Sequence, residues 1–238
     1  MAFCESKLLG YPEYLNSFSS LFISGFGILG LQNNINNNFI LESIYTIMIF
    51  IGVGSFGYHW SGTLFWRLMD ETPMIIGITL VTYYFNNLYN LIKRESFINN
   101  RIEYFIFLFL SILFIIFNSI PDYSKLFPTL FGFIGFYLYC KLILLIIIIR
   151  YDFKQHILEK IIQSIGIILF SAFIWILTEN YCLNSYLFLL GHPLWHFFIG
   201  LGFYNLIQTI YFIDVSIKYP NLLKLEYNKY KILRIYYN

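Results

Sequence analysis

Of 238 residues, 58% are hydrophobic and 12% charged, and mean hydropathy is +0.66. A soluble domain of this length cannot hide that much apolar surface. The formal charge of +2 says little, because in a chain this apolar what matters is where the charges lie; no nucleic-acid partner is expected, and no obligate protein partner is implied.

Apolar runs near 20 residues recur along the chain, which predicts an all-α, polytopic membrane protein. Continuous runs such as CKLILLIIIIR (140–150) exclude the alternation of a transmembrane β-barrel. No basic start with a small-residue cleavage site precedes the first run, so no removed signal peptide is expected.

In chain order, the expected spans are 14–31, 39–58, 70–91, 103–119, 128–149, 158–178 and 188–212. They form one seven-helix membrane domain over 1–238. A short segment, 1–13, precedes it, and a basic tail, 213–238, follows. NNINNN (33–38) is a polar loop between the first two spans.

Seven spans put Lys7, Arg67 and Lys125 on one side. On the other stand Lys93, Arg94, Arg101, Arg150, Lys154, Lys160, Lys218, Lys224, Lys229, Lys231 and Arg234. The positive-inside rule makes the second side cytosolic. The N-terminus is then lumenal or extracellular and the C-terminus cytosolic. Lys141 falls inside span five, where snorkelling or a polar bundle interior are both open.

Ionisable residues at membrane depth mark sites. Of four histidines, His156 lies in a charged cytosolic loop, RYDFKQHILEK. His59 ends span two in GVGSFGYHWSG, and His192 and His196 open span seven in GHPLWHFF. The two spans run in opposite directions, so all three reach one depth on the non-cytosolic side. His192 and His196 are four apart and share a helix face. With His59 they make a three-histidine set with an open fourth position, the pattern of catalytic zinc. The competing reading is interfacial histidines bonded to headgroups or backbone.

Ser55 is one turn before His59 and shares its face, as a ligand-facing hydroxyl or as small-residue packing. Asp70 and Glu71 open span three, where Asp70 could cap the helix ahead of Pro73 or take a proton from an activated water. Glu13, Asn16, Glu179 and Asn180 end spans on the same side. Cys4 and Cys182 also share that side, where disulfides persist; a bridge between them would tie the N-terminal segment to the loop before span seven, and two free thiols are the alternative. Cys140 reads as a buried free thiol.

GVGSFGYHWSGTLFWRLMDETPM resembles spans two and three of the alkaline ceramidases. GHPLWHFFIGLGFY resembles their last span, FIWILTENYC the stretch before it, and CESK with EYLNSFSS a shortened form of their N-terminus. These enzymes share a seven-span hydrolase superfamily with adiponectin-receptor-like proteins. Its pattern falls here on Ser55, His59, Asp70, His192 and His196. The resemblance implies hydrolysis of ceramide to sphingosine and fatty acid in the endoplasmic reticulum or Golgi membrane. It implies zinc on His59, His192 and His196 to activate water. Asp70 would move the proton, and Ser55 would stabilise the oxyanion. A receptor-like sensor with a mainly structural zinc is the alternative. The animal-type enzymes bind calcium through their N-terminal segment. Glu5 and Glu13 remain as candidate calcium ligands here, but Ala2 and Lys7 stand where Asp and Asn are expected, and calcium prefers six to eight oxygens.

Overall fold

The computed structural model describes residues 3–34, 38–93, 97–120, 126–148, 151–182, 186–218, 223–227 and 233–237. Ala2, Arg94, Lys125, Arg150, Lys229 and Lys231 lie outside the described residues, as do the side chains of Lys93, Arg101, Lys154, His156 and Lys224. A short helix, α1 (Cys4–Leu9), leads into α2 (Tyr14–Gln32), α3 (Phe39–Ser61), α4 (Leu64–Lys93), α5 (Phe97–Asn118), α6 (Phe127–Ile148), α7 (Tyr151–Asn180) and α8 (Gly191–Lys218). A 3-10 turn (Tyr186–Leu190) precedes α8. Strands β1 (Leu223–Tyr227) and β2 (Leu233–Tyr237) close the chain.

Each expected span overlaps one long helix. Among the described residues, five helical stretches are long and apolar enough to cross a membrane: Tyr14–Gln32, Phe39–Ser61, Phe127–Ile148, Ile157–Asn180 and Tyr186–Lys218. The molecule is therefore a multi-pass membrane protein. In α5 the apolar stretch is Tyr104–Asn118, shorter than a full crossing. In α4 the second half carries the polar run TYYFNNLYN, and Thr82, Asn86 and Asn90 are buried.

The chain divides into two compact units: Met1–Glu71 with Glu159–Asn238, and Thr72–Leu158. In the second, Ile75, Phe114 and Phe127 form a buried cluster flanked by Phe131 and Ile134. The Thr79 and Ser111 hydroxyls bond across at 2.8 Å. The Lys141 ammonium lies 5.4 Å from the Tyr137 ring centre, one turn earlier on α6. A cation over an aromatic face is one way for a lysine to sit in an apolar helix.

The first unit is built on close contact of α2 with α3 and α8. A Cβ on Gly52 would run into Ser24 and the Ser20 carbonyl. Its absence lets the backbones approach, as small residues do between membrane helices. Hydroxyls then bridge the seam: Ser24 Oγ donates to the Ile49 carbonyl at 2.9 Å and Ser20 Oγ to the Gly52 carbonyl at 3.3 Å. Such bonds satisfy polar groups that lipid cannot.

Two expectations change. Span three was expected to open at Asp70, with Asp70 as a possible cap. Instead α4 starts at Leu64, and Pro73 lies inside the helix. Leu64, Arg67, Leu68 and Met69 are good helix formers, and no Gly or Pro stands between Leu64 and Met69 to stop a helix from starting early. Pro73 has no N–H for the carbonyl four residues back, at Met69. A Cβ on Gly54 would strike that same carbonyl and the Asp70 amide. Thus α3 passes α4 at close range, and Asp70 faces inward instead of capping.

The second change is the tail. It begins as the last turns of α8, with Ile213, Asp214 and Val215 buried, and ends in an antiparallel hairpin. Leu225, Leu233 and Ile235 are buried. Tyr204 Oη donates to the Leu233 carbonyl at 3.0 Å. LKLEY and LRIYY alternate with period two, but charge counting hid that signal.

Candidate metal centre

All three non-cytosolic histidines of the sequence reading meet in the first unit. The helix α3 ends just past His59, where Gly62 adopts φ +66° and donates to the Tyr58 carbonyl at 2.7 Å. That left-handed stop suits glycine and places His59 in the final turn. From the other direction, α8 begins at Gly191 and carries His192 and His196 on its first two turns. Ring centres are 4.8 Å apart for His59 and His192, 5.2 Å for His59 and His196, and 4.7 Å for His192 and His196. One nitrogen from each ring lies within 4.8 Å of the others. All three side chains are buried.

The Nδ1 atoms are each occupied. His59 Nδ1 meets Glu13 Oε2 at 2.5 Å, His192 Nδ1 meets Glu179 Oε1 at 3.3 Å, and His196 Nδ1 meets Ser19 Oγ at 2.8 Å. A carboxylate only accepts, so His59 and His192 donate from Nδ1 and present Nε2 as a lone pair. His192 Nε2 is buried with no hydrogen-bond partner. A buried, unpaired ring nitrogen beside two more imidazoles fits a soft-to-borderline cation such as zinc.

Ser55 lies one turn before His59, and its Oγ is 3.5 Å from His196 Nε2. Asp70, partly buried, faces the same hydroxyl. Glu71 turns away to pair with Arg67, one turn back, at 3.5 Å. The proposed catalytic pair is thus together, on the side of the cluster where α3 touches α4.

Glu5 and Glu13 each have polar partners within the chain. Glu5 accepts from the Leu15 and Asn16 amides, both at 2.9 Å. These are orphan N–H groups at the start of α2, and Glu5 takes the capping position from outside the helix. Glu13 accepts from His59 and from Asn16 Nδ2 at 3.0 Å. Burial would raise the Glu13 pKa, but the His59 hydrogen bond and charge outweigh it, with Ser6 and Asn16 adding, and hold the carboxyl below its ordinary value.

Cys4 and Cys182 form a disulfide with Cα atoms 5.4 Å apart, in the normal range. It ties α1 to the segment before α8. Beside it, the Phe3 ring packs on His59 and His192, with centres 4.9 and 4.6 Å away. Trp195 flanks His192 at 5.2 Å, and Trp175 packs on Trp195 at 5.6 Å.

Sequence reasoning did not find Ser19 or Phe3, and it noted Glu179 only as the end of a span. Ser19 is one hydroxyl among several in NSFSS. No spacing rule singles it out, because its partner is 177 positions away.

A model of the ceramidase family matches residues 2–234. The chain belongs to the ceramidase family. The family named from the sequence motifs is thus borne out, and with it a hydrolase acting on the amide bond of ceramide. This ceramidase-family chain is also 28% identical over 243 aligned positions to a Dictyostelium discoideum protein named "Putative alkaline ceramidase dcd3A". That match covers 84% of this chain and 81% of the relative.

Proposed function

We propose that the chain is a seven-span zinc amidase that hydrolyses ceramide to sphingosine and a fatty acid, with His59, His192 and His196 as the metal ligands. The observation that carries it is the buried trio of imidazoles: His59 and His192 have Nδ1 on a carboxylate, His196 has Nδ1 on Ser19, and His192 has in addition a buried Nε2 with no hydrogen-bond partner. Zinc held there supplies Lewis acidity that activates water and polarises the amide carbonyl.

The remaining steps belong to side chains. Asp70 accepts a proton from the attacking water as its oxygen bonds the carbonyl carbon. Ser55 Oγ donates to the oxygen on which negative charge develops. As the C–N bond breaks, Asp70 returns the proton to the departing nitrogen, leaving a free amine and a carboxylic acid. Phe3 and the Trp175–Trp195 pair keep bulk water from the imidazoles, which strengthens every hydrogen bond at the reacting centre. Glu5 and Glu13 act as helix cap and His59 orienter, and we assign no calcium to them.

The charge asymmetry and the disulfide support an orientation, and the family resemblance the membrane. The N-terminus and the metal centre face the lumen of the endoplasmic reticulum or Golgi, and the C-terminal hairpin faces the cytosol. Purified protein in detergent should release fatty acid from a fluorescent ceramide. A chelator should abolish the activity, and zinc alone should restore it. His196→Ala should be inactive and zinc-poor. Full activity in that variant, or after complete removal of zinc, would refute the assignment.

A further inference from the structure

Glu179 stands at the junction of three elements. Its Oε1 accepts from His192 Nδ1 at 3.3 Å and from the Cys4 amide at 3.1 Å, while Oε2 takes the Lys7 ammonium at 3.3 Å. Both oxygens are therefore engaged, one shared between the metal-site histidine and the backbone of α1. The same histidine has a buried, unpartnered Nε2. Two independent tethers fix α1 where it can make these contacts. One is the Cys4–Cys182 disulfide, and the other is the grip of Glu5 on the Leu15 and Asn16 amides. A helix of six residues would not persist unaided.

We infer that Glu179 is a positioning residue of the metal centre, holding His192 with Nε2 free for the ion, and that α1 holds Glu179 in turn through the Cys4 amide and Lys7. The N-terminal segment is then part of the metal site's outer wall. The physical basis is the coupling of a ligating imidazole to a carboxylate on its far nitrogen, which fixes the tautomer and raises ligand basicity. Lys7 contributes less than Glu179, because its side chain is 40% exposed and an exposed ion pair is weak. This inference rests on the three-histidine zinc reading, yet its test does not require ceramide.

The test is zinc affinity of the purified full chain, read by competition with a chromophoric chelator, with thermal unfolding of the zinc-free protein alongside. Glu179→Gln should weaken zinc binding about 10- to 100-fold at a nearly unchanged zinc-free Tm. Lys7→Met should weaken it by a few-fold at most. Combined, the two changes should do no more than Glu179→Gln alone, since Lys7 acts through Glu179. Unchanged affinity in Glu179→Gln would overturn the inference, and so would a Lys7→Met effect of equal size in both backgrounds. A chain that binds zinc in this Glu179-dependent way but leaves ceramide intact would refute the proposed function alone. Ceramide hydrolysis with Glu179-independent zinc affinity would refute this inference alone.

Discussion

Asp70 shows how a residue's role depends on where its helix begins. In the sequence it opens an apolar run beside a proline, and capping is a sound expectation. Because α4 begins at Leu64, Asp70 instead sits in the second turn and faces Ser55. Two outcomes follow at this scale. Asp70→Asn should lower kcat by at least about 100-fold while zinc content stays near one per chain, measured by metal analysis on the same sample. Ser55→Ala should cost about 100-fold if its hydroxyl serves the oxyanion, again with zinc retained; equal loss of zinc would make Ser55 a packing residue of the site. The three histidines were legible because ionisable residues are rare in this chain and their spacing is periodic. Ser19 and Phe3 were not, since a hydroxyl and a ring are common in any membrane bundle. Only the fold decides which of them touches an imidazole.

Helices were legible as apolar runs, while their ends were not. A bilayer-length run is set by composition, but where a helix stops depends on single contacts. Gly62 stops α3 with a positive φ, and Glu5, remote in sequence from the amides it accepts, caps α2. One close backbone approach is the crossing of α3 and α4. Gly54→Leu would drive a side chain into the Met69 carbonyl and the Asp70 amide, both backbone. It should lower the detergent Tm by the equivalent of about 1–3 kcal/mol and remove activity by displacing Asp70. Gly132→Leu on α6, where a Cβ meets nothing within 4 Å, should leave both near wild type. The disulfide belongs to this scale as well. Cys182→Ser should cost about 2–4 kcal/mol, read as a lower Tm, and reducing agent should shift the wild type but not the variant.

For the whole molecule, the testable statement is orientation. A glycosylation site added at the N-terminus should be modified in microsomes, and one placed after β2 should not; the reverse pattern would invert the molecule and put the histidines on the cytosolic side. Composition alone determined that this chain is a multi-pass helical membrane protein, because so much apolar surface has no other solvent. Periodicity and depth-matching selected His59, His192 and His196, because helical geometry is regular enough to project across a span. Motif resemblance carried the substrate, now supported by the family match. How those imidazoles are held is set by packing between elements. The partners of His59, His192 and His196 are Glu13 just ahead of α2, Glu179 on α7 and Ser19 on α2, at separations of 46, 13 and 177 residues. Contacts at those separations arise from packing of helices whose facing residues follow no local rule. The same holds for the C-terminal hairpin. Its alternation is visible in the chain, but its burial on α8 is set by the shape of the surface it covers.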